Sequence, residues 1–329
     1  MTEPLASFGA IADVQHADVD DAWNYTKTSK RYYRDARRHL EAAVDAWLLE
    51  ATTCPLRFVV NLGDLLDGKN VALGQSQSAL ALLRGTLERF QDRVGPVHHC
   101  IGNHELYNFT RDEYLRLLVH RTSSPHALVS SLPPPATTVA YYSFTIPDAP
   151  TYVFAVLDPY DNSVLGSPPG SAEHSACKEF LRQRNPNADL NSSDNLDGPA
   201  RRFVEYNGGV ASRQLQWLDA LLAAADAQSQ HVVLFSHVPL HPDSCHPACL
   251  LWNYDELLGL LHAHASVKAV LSGHCHENGY TRDASGVHYV VFQAALEARE
   301  NAYATIDLFP SMLRIRGVGQ VPSRDLALS

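Results

Sequence analysis

Short apolar runs that are rich in β-branched residues recur along the chain, and the early ones alternate with stretches that have helical spacing. Uninterrupted runs of this length are typical of strands buried on both faces of a sheet. They predict strands at residues 7–12, 57–62, 96–101, 151–157, 231–236, 267–272, 287–292, 302–308 and 312–318. Apolar residues spaced three and four apart predict helices at residues 30–50, 75–91, 212–225 and 254–265.

The order of these elements predicts the class of fold. Strands and helices alternate early in the chain, whereas the last strands follow one another directly. This order favours an α/β fold in which two packed sheets of mixed direction have helices on their outer faces. Because no helical spacers separate the runs at 287–292, 302–308 and 312–318, we expect these three strands to form antiparallel hairpins.

One segment of the chain differs in composition from the rest. Residues 158–201 are rich in Pro, Ser, Asn, Asp and Gly, and we expect them to form a polar insertion in a single domain that spans residues 1–329. Long loops of this kind are either functional or disordered. Two interpretations therefore stay open, a surface loop and a lid over a substrate site.

The composition narrows the class of protein. Of the 329 residues, 45% are hydrophobic and 19% are charged, as is usual for a soluble globular enzyme. The net charge of −10 argues against a general nucleic-acid binder, which needs a basic face. No apolar run approaches the roughly 20 residues of a membrane-spanning helix, and the stretch MTEPLASFGAIAD lacks the regions of a secretory signal. We expect neither a membrane nor a protein partner.

The cysteines bear on the compartment of the protein. They are scattered and include no CxxC pair, which fits a reducing compartment without a disulfide framework. Their positions are 54, 100, 177, 245, 249 and 275. We therefore expect a cytoplasmic protein.

Polar side chains that bind divalent cations follow several predicted strands directly. In α/β sheets, ligands bind in the crevice outside the carboxyl ends of the strands. Side chains from several strand ends would therefore converge on one place. They are Asp13 and Gln15, Asp64, Asn103 and His104, His237, and His274 and His276.

The stretch LSGHCHENG raises the question of which side chains would bind a metal there. His274 and His276 are two residues apart, so in an extended turn both would face the same side while Cys275 faces the other. The alternative is a structural zinc site that recruits the nearby stretch SCHPAC, residues 244–249. We favour the two histidines alone.

The order of these motifs resembles a known superfamily. The set D-x-(H/Q), G-D, G-N-H-(D/E), H and G-H-x-H spans residues 13–276 and looks like the calcineurin-like metallophosphoesterases. Longer stretches resemble one family within it, the manganese-dependent ADP-ribose/CDP-alcohol diphosphatases. They are FGAIADVQHAD, KRYYRDARRHL, GDLLDG, GNHELYNF, YNGGVASRQLQWLDALL, FSHVPLHP and LLWNYDELL. The resemblance implies a four-layer sandwich, with two mixed β-sheets face to face and helices outside.

The resemblance also implies two divalent cations and their ligands. Asp64 would bridge the two ions. The other implied ligands are Asp13, Gln15 and His276 for the first ion, and Asn103, His237 and His274 for the second. Where the superfamily usually has His, this chain has Gln15, whose amide oxygen is a harder ligand and favours Mn²⁺ or Mg²⁺ over zinc. We therefore expect Mn²⁺, with Mg²⁺ as the other possibility.

The implied reaction is hydrolysis of a phosphate bond in a small nucleotide. Two cations acidify a shared water and neutralise charge on the phosphate oxygens. By resemblance, His104 faces the leaving oxygen as general acid or charge stabiliser, and we expect Glu105 to orient it. The remaining candidates are contacts to the substrate. They are Tyr25, Tyr107, Asn108, Asn207, Gly208 and Cys249.

Two hypotheses about the substrate follow. The first is cleavage of the diphosphate bond of ADP-ribose and CDP-alcohols, such as CDP-choline or CDP-glycerol, to AMP or CMP and a phosphorylated product. The alternative keeps both metals but hydrolyses phosphomonoesters or cyclic nucleotides. The sequence alone does not rank adenine against cytosine.

Overall fold

The computed structural model describes residues 3–119 and 139–328. The strands, in chain order, are β1 (Ala6–Ile11), β2 (Ala22–Trp23), β3 (Lys30–Arg31), β4 (Leu56–Asn61), β5 (Val97–His99), β6 (Tyr142–Thr145), β7 (Tyr152–Val156), β8 (His231–Ser236), β9 (Val267–Ser272), β10 (Gly279–Arg282), β11 (His288–Val291), β12 (Ala302–Phe309), β13 (Met312–Gly319) and β14 (Arg324–Ala327). The helices are α1 (Asp35–Glu50), α2 (Lys69–Leu73), α3 (Ser76–Gln91), α4 (Asn103–Asn108), α5 (Arg111–Tyr114), α6 (Ala172–Arg182), α7 (Ser212–Ala227) and α8 (Tyr254–His262). A π-helical turn (Leu115–Val119) and four 3-10 turns (Gly198–Arg202, Pro242–Ser244, Pro247–Cys249 and Ala295–Glu297) complete the described elements.

Two six-stranded sheets of mixed direction form the centre of the molecule. The first has the order β14-β13-β12-β1-β4-β5, in which β1, β4 and β5 are parallel. The second has the order β10-β11-β9-β8-β7-β6, in which β11, β9, β8 and β7 are parallel. The predicted α/β fold with two packed mixed sheets is confirmed.

The alternation of side chains along each strand explains how the sheets pack. In β1 and β4, Phe8 and Phe58 point to the layer between the sheets and stack with their ring centroids 4.7 Å apart. Phe154 from the second sheet meets Phe58 edge-on at 4.9 Å. Neighbouring residues such as Ile11 and Val59 point outward, where helices cover them. Both faces of these strands are therefore buried, as their uninterrupted apolar runs predict.

The prediction for the last three strands is wrong in one respect. β12 and β13 form the expected antiparallel hairpin, and β14 extends it. The run at 287–292, however, becomes β11, which pairs in parallel with β9 in the other sheet. The 3-10 turn at residues 295–297 carries the chain from one sheet to the other. A strand's apolar pattern shows that it is buried, but not which sheet accepts it.

Helices form at the four places where the spacing predicts them, but their boundaries differ; α7 ends at Ala227 rather than at residue 225, and α8 ends at His262 rather than at residue 265. Helix α1 begins at Asp35 rather than at residue 30, because Lys30 and Arg31 pair with residues 22–23 in a small antiparallel hairpin. Within the described ranges, no helix has the length and apolar character needed to cross a membrane.

The polar insertion at residues 158–201 is folded. It contains α6 and the 3-10 turn at residues 198–202, and it has a small apolar cluster of its own. In that cluster Cys177 and Leu181 of α6 pack against Trp252, which belongs to the main body of the fold. The insertion is thus attached to the segment that leads to α8.

Candidate metal centre

The turns after the parallel strands share an unusual backbone conformation. Five non-glycine residues in these turns have positive φ angles, which lie in the left-handed region that few side chains adopt. They are Asp13 (51°), Gln15 (42°), Asp64 (55°), His274 (67°) and His276 (64°). Strained backbone of this kind is concentrated at functional sites. Here it directs side chains from both sheets into one crevice.

Asp64 lies at the middle of this crevice. Its Oδ2 atom is 2.9 Å from Nε2 of Gln15 on one side and 3.3 Å from Nε2 of His237 on the other. Its Oδ1 atom accepts a hydrogen bond from the backbone N–H of His104 at 2.8 Å. One carboxylate therefore contacts groups from the ends of three different strands.

On one side of Asp64 lie Asp13, Gln15 and His276. Nε2 of His276 is 2.9 Å from Nε2 of Gln15 and 3.6 Å from Oδ1 of Asp13. Oδ1 of Asp13 and Oε1 of Gln15 are buried, and neither has a hydrogen-bond partner in the described part of the protein. Buried oxygens without partners are costly, and a bound cation would satisfy them.

On the other side of Asp64 lie Asn103, His237 and His274. Nε2 of His237 is 3.3 Å from Oδ1 of Asn103 and 3.1 Å from Nδ1 of His274. One ligand atom each from Asp64, His237 and His274 lies within 4.8 Å of the other two. This set of carboxylate, amide and imidazole groups could hold a divalent cation.

The hydrogen bonds behind the histidines determine which nitrogen faces the crevice. Nδ1–H of His237 donates to the carbonyl of Leu62 at 2.9 Å, which leaves Nε2 facing inward. Nε2–H of His274 donates to Oδ1 of Asn207 at 2.7 Å, which leaves Nδ1 facing inward. In the neutral rings, two lone pairs then face each other across 3.1 Å. A cation or a proton must lie between them.

His276 is held in the same way by a carboxylate. Its Nδ1–H donates to Oε1 of Glu297 at 2.7 Å, and Arg31 donates from Nε to the same oxygen at 3.0 Å. Partners of this kind fix the tautomer and orientation of metal-binding histidines. Neither Glu297 nor Arg31 was identified from the sequence, where no local motif marks them.

Asn207 differs from its sequence-based prediction as a substrate contact. The side chain is buried, and its Nδ2 donates to the carbonyls of Arg202 at 3.0 Å and Ala248 at 2.8 Å. With Oδ1 bound to His274, its polar atoms are engaged inside the protein. Asn207 lies behind a histidine of the crevice.

His104 lies at the rim of the crevice, with Nε2 at 4.0 Å from Oδ2 of Asp64. The backbone N–H of Gly68 donates to its Nδ1 at 2.8 Å, so in the neutral ring the proton is on Nε2. The carboxylate of Asp67 lies 3.3 Å from the same Nδ1. Asp67 was missed in the sequence, although the spacing of the two aspartates in GDLLDG was a signal that could have found it.

The expectation that Glu105 orients His104 is wrong. Its carboxylate accepts hydrogen bonds from the backbone N–H groups of Asp64 at 2.8 Å, Leu65 at 2.6 Å and Gly102 at 2.9 Å. Because Glu105 is the third residue of α4, it ties the start of this helix to the turn that carries Asp64. Burial raises its pKa to about 8.

Glycines allow the close approach of these turns. A Cβ atom at Gly102 would clash with Oδ1 of Asp64, and one at Gly273 would clash with Oδ2 of Asp13. The glycines of the G-N-H and G-H-x-H motifs therefore lie against carboxylates from other strands.

The charges of the crevice depend on one another. Burial raises the pKa of Asp64, but the neighbouring imidazoles, His237 foremost, outweigh burial and hold it below its usual range. Burial lowers the pKa of His237, yet the carboxylates around it outweigh burial and raise the pKa to about 9. A proton on His237 thus takes the place that the geometry offers to a cation.

The two histidines of G-H-x-H both face the crevice, but not through the extended turn that the sequence predicts. His274 and His276 have left-handed backbone, while Sγ of Cys275 turns away and accepts from the N–H of His246 at 3.4 Å. Over the residues that the structure covers, the group of Asp64, His237 and His274 brings three metal-binding side chains close together, and no such group includes a cysteine. The cysteines at 245, 249 and 275 therefore do not form the alternative zinc site.

The other predicted substrate contacts lie in different surroundings. Tyr25 is 97% exposed in the loop of the β2–β3 hairpin, and Tyr107 packs edge-on against His104 with ring centroids 5.2 Å apart. The side chain of Asn108 accepts a hydrogen bond from the hydroxyl of Ser76 and donates to the backbone carbonyls of Asp67 and His104. The backbone carbonyl of Gly208 accepts a hydrogen bond from the backbone N–H of Trp252. The thiol of Cys249 is hydrogen-bonded to that of Cys275.

Tyr160 is a residue of the centre that the sequence did not reveal. It lies at the start of the polar insertion, and its buried hydroxyl is 3.3 Å from Oδ1 of Asn103 and 3.1 Å from the carbonyl of Tyr206. The insertion thus reaches the crevice directly.

Comparisons with known proteins identify the family of this chain. The family model for calcineurin-like phosphoesterases matches residues 6–278. Two relatives are named manganese-dependent ADP-ribose/CDP-alcohol diphosphatase. The protein from Mus musculus is 38% identical to this chain, in a match that covers 98% of this chain and 93% of the relative. The protein from Arabidopsis thaliana is 40% identical, in a match that covers 98% of this chain and 97% of the relative.

A solved structure has the same fold over its full length. It is a dimetal phosphatase from Danio rerio, which superposes with a TM-score of 0.89 at 37% identity and covers 99% of this chain and 100% of its own. A purple acid phosphatase from yellow lupin, at 13% identity and a TM-score of 0.53, shares the fold alone; the match covers 98% of this chain and 53% of that one.

Proposed function

Because the chain belongs to the calcineurin-like phosphoesterases and, within them, to the manganese-dependent ADP-ribose/CDP-alcohol diphosphatases, we propose that it hydrolyses the diphosphate bond of ADP-ribose and CDP-alcohols with Mn²⁺ bound. The products would be AMP or CMP and a phosphorylated remainder. CDP-choline and CDP-glycerol are the CDP-alcohols that we expect it to accept.

The observation that carries this proposal is the position of Asp64 between two groups of ligands. Its carboxylate contacts Gln15 on one side and His237 on the other, at 2.9 Å and 3.3 Å. A carboxylate so placed suits a bridge between two cations. We assign Asp13, Gln15 and His276 to the first ion and Asn103, His237 and His274 to the second. A half-turn of the Gln15 amide would direct its oxygen toward the first ion.

Two bound Mn²⁺ ions would supply an acidified water and would neutralise charge on the phosphate oxygens. The protein itself orients the ligands through Glu297, Asn207 and the carbonyl of Leu62. Its backbone N–H at Gly68 keeps the proton of neutral His104 on Nε2, the nitrogen nearest Asp64. We assign this Nε2–H the role of hydrogen-bond donor that stabilises the negative charge on the oxygen that leaves phosphorus.

A substrate panel tests the proposed function. Purified protein with Mn²⁺ would be given ADP-ribose, CDP-choline, cAMP and 4-nitrophenyl phosphate, and the products identified by chromatography. We expect AMP from ADP-ribose and CMP from CDP-choline. Preference for the monoester or the cyclic nucleotide would instead support the alternative activity. The Asp64→Ala variant is the matched control in every reaction.

We also propose a cytoplasmic location. All six cysteines are free, which fits a reducing compartment. Fractionation of cells that express the tagged protein tests this location.

A further inference from the structure

Arg201 is an arginine in the polar insertion with very few partners. It belongs to the 3-10 turn at residues 198–202, and its side chain makes one long hydrogen bond, from Nη2 to Oγ of Ser193 at 3.5 Å. Its Nε atom is buried and has no partner among the residues described. None of the ion pairs formed within the described residues includes Arg201. A buried guanidinium nitrogen without an acceptor is costly.

The neighbouring Arg202 shows what a structural arginine in this turn looks like. Its Nε donates to the carbonyl of Trp252 and its Nη1 to the carbonyl of Pro199, both at 2.7 Å. Its guanidinium also lies over the ring of Phe203, 4.1 Å from the centroid. The fold therefore uses Arg202 for its own stability and leaves the donors of Arg201 largely free.

A short chain of contacts connects this turn to the metal centre. The carbonyl of Arg202 accepts from Asn207, whose Oδ1 accepts from His274 at 2.7 Å. The ring of Tyr206 lies 5.8 Å from that of His274. Burial raises the pKa of the Tyr206 phenol, and the charge of Arg201 acts in the opposite direction. The 3-10 turn that carries Arg201 therefore lies next to the His274 side of the crevice.

Two other arginines around the centre are already neutralised. Arg31 forms an ion pair with Glu297 at 3.0 Å. Arg111 pairs with Asp158 and also donates to the carbonyl of Tyr160 at 2.8 Å. In a protein with a net charge of −10, an arginine without a carboxylate partner, in a turn next to the proposed metal centre, suits a ligand that brings its own negative charge.

We infer that Arg201 binds the second phosphate of a diphosphate substrate, the phosphate that is not attacked at the metal centre. This inference rests on the proposed function. The metal centre would contact the phosphate that is attacked, which leaves the negative charge of the second phosphate without a partner. The planar fork of donors in a guanidinium matches the oxygens of such a phosphate. A phosphomonoester has no second phosphate. The insertion would thus contribute to the choice of diphosphates over monoesters.

The test compares Arg201→Ala with the unmodified enzyme on two substrates. Losing a charged hydrogen-bonding partner should lower kcat/KM for ADP-ribose by roughly 10- to 100-fold, mainly through a higher KM. The rate of hydrolysis of 4-nitrophenyl phosphate should change by less than about twofold, because this monoester has no second phosphate for Arg201 to bind. Arg201→Lys keeps the charge without the fork, and we expect an intermediate loss.

A binding measurement separates this inference from the proposed function. In calorimetric titrations with Mn²⁺ present, the unmodified protein should bind ADP more tightly than AMP, and Arg201→Ala should remove that difference. The matched control is Arg182→Ala, an exposed arginine at the end of α6 in the same insertion, which should leave all values unchanged.

Several outcomes would overturn the inference. They are an equal loss on both substrates, no loss on either, or an unchanged preference for ADP in the Arg201→Ala variant. If the unmodified enzyme cleaves no diphosphate at all, the proposed function fails, and the comparison of ADP with AMP still decides the role of Arg201.

Discussion

The carboxylate of Glu297 lies 2.7 Å from Nδ1 of His276, on the side of the imidazole that faces away from Asp13. Burial raises the pKa of Glu297, but the bond to His276 and the charge of Arg31 outweigh burial and hold it at about 2. Glu297 is therefore a carboxylate at neutral pH, and it keeps the proton of His276 on Nδ1. The lone pair of Nε2 is then directed at the proposed first ion.

We predict that Glu297→Ala weakens Mn²⁺ binding at one of two sites by roughly 10- to 100-fold, since loss of such a partner frees the ligand to rotate. Calorimetric titration of the metal-free protein with Mn²⁺ measures this change, and Glu297→Gln should recover part of it. The control is Glu300→Gln, because Glu300 is an exposed glutamate and its substitution should leave Mn²⁺ binding unchanged. Unchanged affinity at both sites in Glu297→Ala would contradict the positioning role.

Asp64 and His104 should give contrasting variants. Asp64→Ala removes the carboxylate between the two ligand groups, so we expect loss of both ions and of turnover. His104→Ala should retain both ions and lower kcat by roughly 10²- to 10³-fold, as expected for loss of a hydrogen-bond donor to the leaving oxygen. Elemental analysis after gel filtration, together with rates on ADP-ribose, checks both. If His104→Ala loses a metal, the assignment of His104 as a donor outside the metal ligands is wrong.

Gly102→Ala should disable the centre without altering any ligand. The added Cβ would clash with Oδ1 of Asp64, so the carboxylate must move away from its place between the two groups. We expect Mn²⁺ binding and turnover to fall together, each by at least about tenfold. Gly85→Ala in α3 is the matched control, because a Cβ there meets open space and should stabilise the helix by up to about 1 kcal/mol. Full activity in Gly102→Ala would show that the turn adapts freely.

Two histidines outside the centre should make stability depend on pH. Burial lowers the pKa of His98 to about 3 and that of His99 to about 4. Between these values and the ordinary pKa of about 6.5, the unfolded chain binds protons that the folded protein does not. Stability should therefore fall as the pH drops through this window.

At pH 5 each of these histidines should contribute a slope of about 1.4 kcal/mol per pH unit to the free energy of unfolding. Denaturant titrations of the unmodified protein and of His98→Gln at several pH values between 4 and 7 measure the slope. The variant should lose the contribution of one histidine. An unchanged slope would mean that His98 is protonated inside the fold.

Much of the crevice could be predicted from the sequence because its polar side chains follow strands directly. Asp13, Asp64, Asn103, His237 and His274 each come within a few residues of a buried apolar run, and parallel strands expose their carboxyl ends at the same edge. The groups that orient them could not be predicted in this way. Asn207 is 67 residues before His274, and Glu297 is 21 residues after His276.

The polar insertion shows the same limit. Its composition predicts a loop, yet its apolar residues Cys177 and Leu181 find a partner in Trp252, far along the chain. Together with the bonds of Tyr160 to Asn103 and of Arg111 to Asp158, that contact makes the segment a folded wall next to the centre.

The sequence by itself determined which polar side chains line the crevice, their order and their positions at strand ends, because these depend on local pattern and on a general rule of α/β sheets. The tertiary structure alone decided which nitrogen of each histidine faces the crevice. His274 presents Nδ1, whereas His237 and His276 present Nε2. The reason is physical: the inward nitrogen is the one left free when a remote carbonyl, amide or carboxylate accepts the proton of the other, and only packing brings that acceptor into place.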